Sequence, residues 1–212
     1  IKKAFEIVGL DPFRFLIDQK ISPLEAQPID DQFSIHEAKK YFSPITAPSK
    51  VISIGANYKK HIEETNLSIP TEPVSFGKFP NALIGHNENI RYRLDDTKQV
   101  DYENELMIVI GKKTKDVTTK EALNHVFGYT IVNDITARDH QFKGDQYSRC
   151  KSFDTFMPVG PWIVDKTEIP NPQILAIITR LNGKIVQDSN TQDQLFSCSE
   201  IISFLSRYIT LE

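Results

Sequence analysis

The run Leu106-Met-Ile-Val-Ile110 constrains this chain most, because five consecutive apolar residues without a polar break read as a strand buried on both faces. Two acids lead straight into it, Glu103 and Glu105 in Asp101-Tyr-Glu-Asn-Glu-Leu106. Side chains at i and i+2 of a strand point to the same face, roughly 7 Å apart, so both carboxylates address one small volume. Like charges at that separation require a cation. No Lys or Arg lies between Gln99 and Gly111, so neutralisation falls either to a side chain from elsewhere in the chain or to a bound metal. A third acid, Asp134, ends another largely apolar stretch, Phe127-Gly-Tyr-Thr-Ile-Val-Asn-Asp134, and three hard oxygen ligands suit magnesium or manganese. The competing expectation for such acids is a solvated surface.

At 212 residues, 40% of them apolar, the chain suffices for one filled core with a small appendage. A formal charge of -3 and the lack of Lys/Arg blocks exclude nucleic acid and anionic membrane as main partners and leave a small ligand open. Cys150 and Cys198 have neither zinc-ligand spacing nor the density of a disulfide scaffold; they read as reduced thiols, and a cytoplasmic location is expected. No stretch approaches the ~20 apolar residues of a membrane span, and the opening Ile-Lys-Lys-Ala-Phe-Glu is unlike a signal peptide. The chain starts without Met and stops in the strand-like Tyr208-Ile-Thr-Leu-Glu212, so both ends are expected to be trimmed.

Residues 1–45 read as a small N-terminal subdomain and linker, with a helix start at Asp11-Pro12 and two prolines in Ser43-Pro-Ile-Thr-Ala-Pro48. The main domain, 46–212, opens with a strand at Val51-Ile-Ser-Ile54. Further short strands are expected at Leu83-Ile84, Leu106 to Ile110, Tyr129 to Val132, Trp162 to Val164 and Ile174 to Leu181, the last turning at Asn182-Gly183 into Lys184 to Gln187. Helices are expected over Tyr58 to Thr65, Lys120 to His125 and Ser199 to Tyr208, in a mostly β architecture.

Three further segments carry chemistry. His61 and Glu64 stand at i, i+3 on one helix, where a carboxylate can orient an imidazole as general base for water, or the two can form a surface pair. Arg138 and Gln141 follow a strand end, where a guanidinium fork and an amide can hold a substrate carboxylate and carbonyl, unless Arg138 pairs with a nearby acid. Lys151 precedes a proline-stiffened apolar segment and is either a solvated lysine or a cation placed to stabilise charge growing on a substrate oxygen.

Together these segments resemble the fumarylacetoacetate hydrolase family, in particular members acting on 2-oxo acids. The matching motifs run in order through Gly55-x-Asn57-Tyr58-x-x-His61-x-x-Glu64, Phe76-x-Lys78, Asp101-Tyr-Glu-x-Glu-Leu106, Gly128-Tyr129, Asn133-Asp-x-Thr-Ala-Arg-Asp139, Lys151-x-Phe-Asp-Thr155 and Asn182-Gly-x-x-x-Gln187. The resemblance implies an α+β, mainly β fold, a mixed β-roll with peripheral short helices, assembled as a homodimer. It implies that Glu103, Glu105 and Asp134 bind Mg2+ or Mn2+, that His61 and Glu64 form a water-activating dyad on a mobile lid helix, and that Arg138, Gln141 and Lys151 contact a small 2-oxo acid. The expected chemistry passes through a metal-stabilised enolate and ends in C–C hydrolysis of an acylpyruvate or in decarboxylation. The alternatives are isomerisation or hydration of hydroxymuconate-type intermediates, or a silent metal-binding domain. Family members continue past the position of Glu212, so the catalytic domain is expected to be truncated there.

Overall fold

A computed structural model describes residues 41–144 and 146–212. The subdomain and linker expected over 1–45, with the Asp11-Pro12 helix start, lie outside the described residues except for 41–45.

β-Branched residues place the first strand, β1 (Val51–Gly55), after the prolines of the linker. The chain then enters helix α1 (Lys59–Thr65), closed by Asn66 in the left-handed conformation. It returns in β2 (Val74–Lys78), antiparallel to β1 with Val51 opposite Lys78. This return strand was not evident from the sequence, where Ser75 and Gly77 interrupt the apolar pattern. β3 (Leu83–Ile84), β4 (Val100–Asp101) and β5 (Asn104–Ile110) follow, then α2 (Thr119–Ala122), whose Thr118/Glu121 capping box marks its start. β6 (Val126–Asn133) runs antiparallel to β5, with Asn104 opposite Asn133.

β7 (Thr136–Ala137) pairs with β4 and leads into two four-residue helices, α3 (Arg138–Gln141) and α4 (Ser148–Lys151), neither among the helices expected from the sequence. β8 (Met157–Pro158) pairs in parallel with β3, and β9 (Val164–Asp165) adds to β6. The hairpin β10 (Ala176–Leu181) and β11 (Lys184–Asn190) turns at Asn182-Gly183, both at positive φ as a two-residue turn requires; Ile174, expected in the strand, belongs to a 3-10 turn instead. Helix α5 (Cys198–Tyr208) starts at a Ser197/Glu200 capping box and buries Ile201, Ile202 and Leu205. Among the described residues the strands form four two-stranded sheets and one three-stranded sheet, with no closed barrel.

β5 stands between two apolar clusters, which accounts for its unbroken apolar run. Leu106, Ile108 and Ile110 pack with Tyr129 and the α5 residues on one face, while Met107 packs with Phe156, Met157 and Val159 on the other. The opposite edge of β6 demands a glycine. A Cβ at Gly128 would stand 2.2 Å from the Val164 carbonyl oxygen, so β9 could not approach. Gly128→Ala is therefore expected to destabilise the fold by about 1–3 kcal/mol, read as a lower urea midpoint at unchanged slope.

Candidate active site

The β5/β6 register brings the acids together. The Asp134 amide donates to the Glu103 carbonyl at 2.7 Å, and the Glu103 amide donates to the side-chain Asn133 Oδ1 at 3.0 Å, so the two acid-bearing segments are joined through the Glu103 backbone. Glu103, Glu105 and Asp134 all line one cleft of about 800 Å³. That cleft runs on between β1 and β5, each of which pairs with a strand on its other side only.

The first of the two ways of neutralising the acids is realised: side chains distant in sequence reach them. Lys151, buried at the end of α4, places its ammonium between Glu103 Oε2 and Asp134 Oδ2, 3.1 Å from the latter. The same ammonium lies 5.5 Å from the centre of the Phe76 ring, which packs edge-on against Tyr147. Lys78, buried at the end of β2, donates to Asp134 Oδ1 at 2.6 Å and to the Ile135 carbonyl at 3.3 Å. Arg138 pairs through Nη1 with Glu103 Oε1 at 2.7 Å and through Nε with Asp101 Oδ2 at 2.8 Å.

The two lysines respond oppositely to this setting. Burial opposes the charged form of both, but Lys151 faces Asp134 and Glu103 together, which outweigh burial and raise its pKa. Lys78 contacts one carboxylate and is repelled by Lys151, so burial prevails and lowers its pKa. Arg138 follows Lys151: burial works against its charge, and Glu103 and Asp101 more than offset it.

Glu105 is the exception. Among the described residues its carboxyl has neither an ion pair nor a hydrogen bond, and burial, then the charges of Glu103 and Asp134, push its pKa up to about 8 against a partial offset from Lys151. Tyr58 lies on the same wall, its hydroxyl pKa raised by burial and then by Glu105.

The remaining expected site residues separate. Gln141 lines the cleft, whereas Arg138 does not; its guanidinium is taken up by Glu103, Asp101 and Gln141 Oε1, the last at 2.9 Å. His61 is exposed on α1 and faces the cleft. Glu64 is exposed and does not line it, and no hydrogen bond or ion pair joins the two side chains in this structure. Lys78 and Tyr58 are additions. The sequence flagged Phe76-x-Lys78 as a motif but held no cue that a strand would bury its terminal ammonium against Asp134.

Among the described residues no three His, Cys, Asp or Glu side chains stand in metal-holding geometry. The physical reason is visible: the ammonium of Lys151 occupies the meeting point of Glu103 and Asp134, and Lys78 holds the other Asp134 oxygen. The donor set nevertheless suits a hard divalent cation, being all carboxylate, with one acid, Glu105, that Lys151 offsets only in part and that no ion pair reaches among the described residues.

The model of the fumarylacetoacetate (FAA) hydrolase C-terminal family matches residues 50–212. The chain belongs to the fumarylacetoacetate hydrolase family. It is 43% identical over 171 residues to a mitochondrial oxaloacetate tautomerase of Xenopus laevis, covering 80% of this chain and 53% of that protein. It is 43% identical over 183 residues to an oxaloacetate tautomerase of Bacillus subtilis (strain 168), covering 85% and 60%. Among solved structures it resembles a 2-hydroxyhepta-2,4-diene-1,7-dioate isomerase from Mycobacterium marinum, with a TM-score of 0.77 and 35% identity over 88% of this chain and 68% of that one. The chain thus spans about half the length of the frog relative. The family is one of enzymes, with tautomerases and isomerases among these relatives. No helix among the described residues is long and apolar enough to cross a membrane.

Proposed function

We propose that this chain supplies the catalytic site of an enzyme that acts on a small 2-oxo acid through its enol form, with keto–enol or double-bond isomerisation as the principal reaction. The observation that carries the reading is the ammonium of Lys151, held between Glu103 and Asp134 on the wall of a cleft large enough for a dicarboxylic acid. Removing a proton next to a carbonyl leaves negative charge on oxygen. A cation already fixed by two carboxylates stabilises that charge without reorganising. Gln141 adds a donor: Arg138 occupies its Oε1, which leaves the Nε2 hydrogens for a ligand oxygen. Arg138 acts through Gln141 and Glu103 as a positioning residue.

Glu103, Glu105 and Asp134 are the residues that would hold Mg2+ or Mn2+, which when bound supplies a Lewis acid for a 2-oxo carboxylate. Glu105, the acid without a partner, supports that assignment.

C–C hydrolysis or decarboxylation is the second reading, and His61 at the cleft favours it. Hydrolysis needs an oriented base for water, and the separation of His61 from Glu64 supports isomerisation as the first reading. The names of the Xenopus laevis and Mycobacterium marinum relatives point the same way.

The test follows the enol absorbance of oxaloacetate, CO2 release and acylpyruvate cleavage in parallel, with purified protein and added Mg2+ or Mn2+. Faster enol–keto exchange without matching CO2 release or cleavage is the expected result. Cleavage or CO2 release as the dominant signal selects the second reading, and no acceleration of any of them leaves a silent binding domain.

A further inference from the structure

We propose that Gln187 is a positioning residue for the acid pair: its carboxamide replaces a neighbouring strand at the Asn104 peptide and holds Glu103 and Glu105 in register for a divalent cation. The inference rests on the metal reading given above and adds to it a residue outside the cleft.

Asn104 is the residue between the two glutamates, so the orientation of its backbone sets the separation of their side chains. On the β6 side, the backbone of Glu103 is held by Asn133 and Asp134. On the other side, where β5 has no ladder partner at this point, both polar groups of Asn104 turn to a single side chain. The Asn104 amide donates to Gln187 Oε1 at 3.0 Å, and Gln187 Nε2 donates to the Asn104 carbonyl at 2.8 Å. A paired strand would present the same donor and acceptor. The Asn104 N–H can only donate and its carbonyl only accept, which fixes the orientation of the carboxamide, and Thr179 Oγ1 also donates to Gln187 Oε1 at 2.9 Å.

The hairpin is built to deliver that side chain. The register of β10 and β11 slips beside Gln187, from Thr179 opposite Gln187 to Arg180 opposite Ile185, leaving Val186 as an extra residue. Such a bulge re-aims the neighbouring side chain. The Tyr102 hydroxyl, just before the acid pair, donates to the Val186 carbonyl at 3.2 Å, and Asn104 Nδ2 donates to the Ile178 carbonyl at 3.1 Å. The entry of β5 is thereby latched to the hairpin at several points, and among the described residues Gln187 is the one side chain that bonds the Asn104 backbone.

The experiment measures Mn2+ affinity calorimetrically, without substrate, for the wild type, Gln187→Ala, Gln187→Glu and Ile177→Ala. Ile177 is buried in the same hairpin and touches none of these hydrogen bonds, so it reports what hairpin destabilisation alone does. Gln187→Ala is expected to weaken Mn2+ roughly 10- to 100-fold, while Ile177→Ala lowers the melting temperature and leaves affinity unchanged. Gln187→Glu keeps the acceptor for the Asn104 amide but removes the donor to its carbonyl; it is expected to weaken Mn2+ as well, and it replaces the alanine variant should that one fail to fold. Affinities for both Gln187 variants equal to wild type, or a loss in Ile177→Ala as large as theirs, overturn the inference. A wild type that binds no Mn2+ overturns the metal reading, and the inference with it.

Discussion

Lys151→Met is expected to lose about 3 kcal/mol of stability or more and about 100- to 1,000-fold in turnover. The side chain is buried and its ammonium serves two carboxylates, so its removal strands Glu103 and Asp134 in a setting where an uncompensated charge typically costs about 3–5 kcal/mol. The lower end applies, because Arg138 still reaches Glu103 and Lys78 still reaches Asp134. The loss in turnover follows from removing a fixed positive group beside a developing oxyanion, a change of the size found when one such donor is deleted. Urea titration and steady-state kinetics give the two numbers. Combining Lys151→Met with Glu103→Gln should recover part of the stability and none of the turnover, because it removes the stranded charge without restoring the cation. A stable Lys151→Met protein with full turnover would remove the ammonium from the centre of the proposal.

The acids were legible in the sequence and their partners were not, for a physical reason. That Glu103 and Glu105 share a face follows from strand parity, a local rule; that Asp134 joins them follows from two apolar runs pairing with their acid-bearing ends together. The counter-ions obey no local rule. Lys78 reaches Asp134 across 56 residues and Lys151 reaches Glu103 across 48, and each depends on an element, β2 or α4, whose periodicity is too short to read. Arg138 was read two ways, as a substrate clamp or as the partner of a nearby acid, and α3 turns its guanidinium onto Asp101 and Glu103. The β10/β11 hairpin was readable from Asn182-Gly183, whereas the bulge that turns Gln187 to Asn104 comes from a one-residue register slip that no composition signals. The spacing of His61 and Glu64 was read correctly as helical; a shared helix face does not guarantee a hydrogen bond, and here none forms.

The metal-free protein is expected to lose stability steadily as pH rises from about 4.5 to about 8, and Glu105→Gln to abolish that part of the slope. In the unfolded chain Glu105 releases its proton near the ordinary value of 4.5, while in the fold burial beside Glu103 and Asp134 retains it to about 8. Between those values the native state holds a proton that the unfolded state has given up, so raising the pH favours unfolding. Below the lower value both states are protonated and the stabilisation is complete; above the upper value it has gone. One proton sets a ceiling of about 1.4 kcal/mol per pH unit, and water reaching Glu105 through the cleft keeps the slope beneath it. The diagnostic quantity is the stability of Glu105→Gln minus that of wild type, which isolates this one carboxyl and should rise across the window and level off above it. Mn2+ reverses the sense: a cation at Glu105 competes with its proton, so wild-type affinity should climb with pH by up to about tenfold per unit until near 8, with a weaker and flatter response in Glu105→Gln. A stability difference independent of pH would mean that Glu105 is already ionised in the metal-free fold.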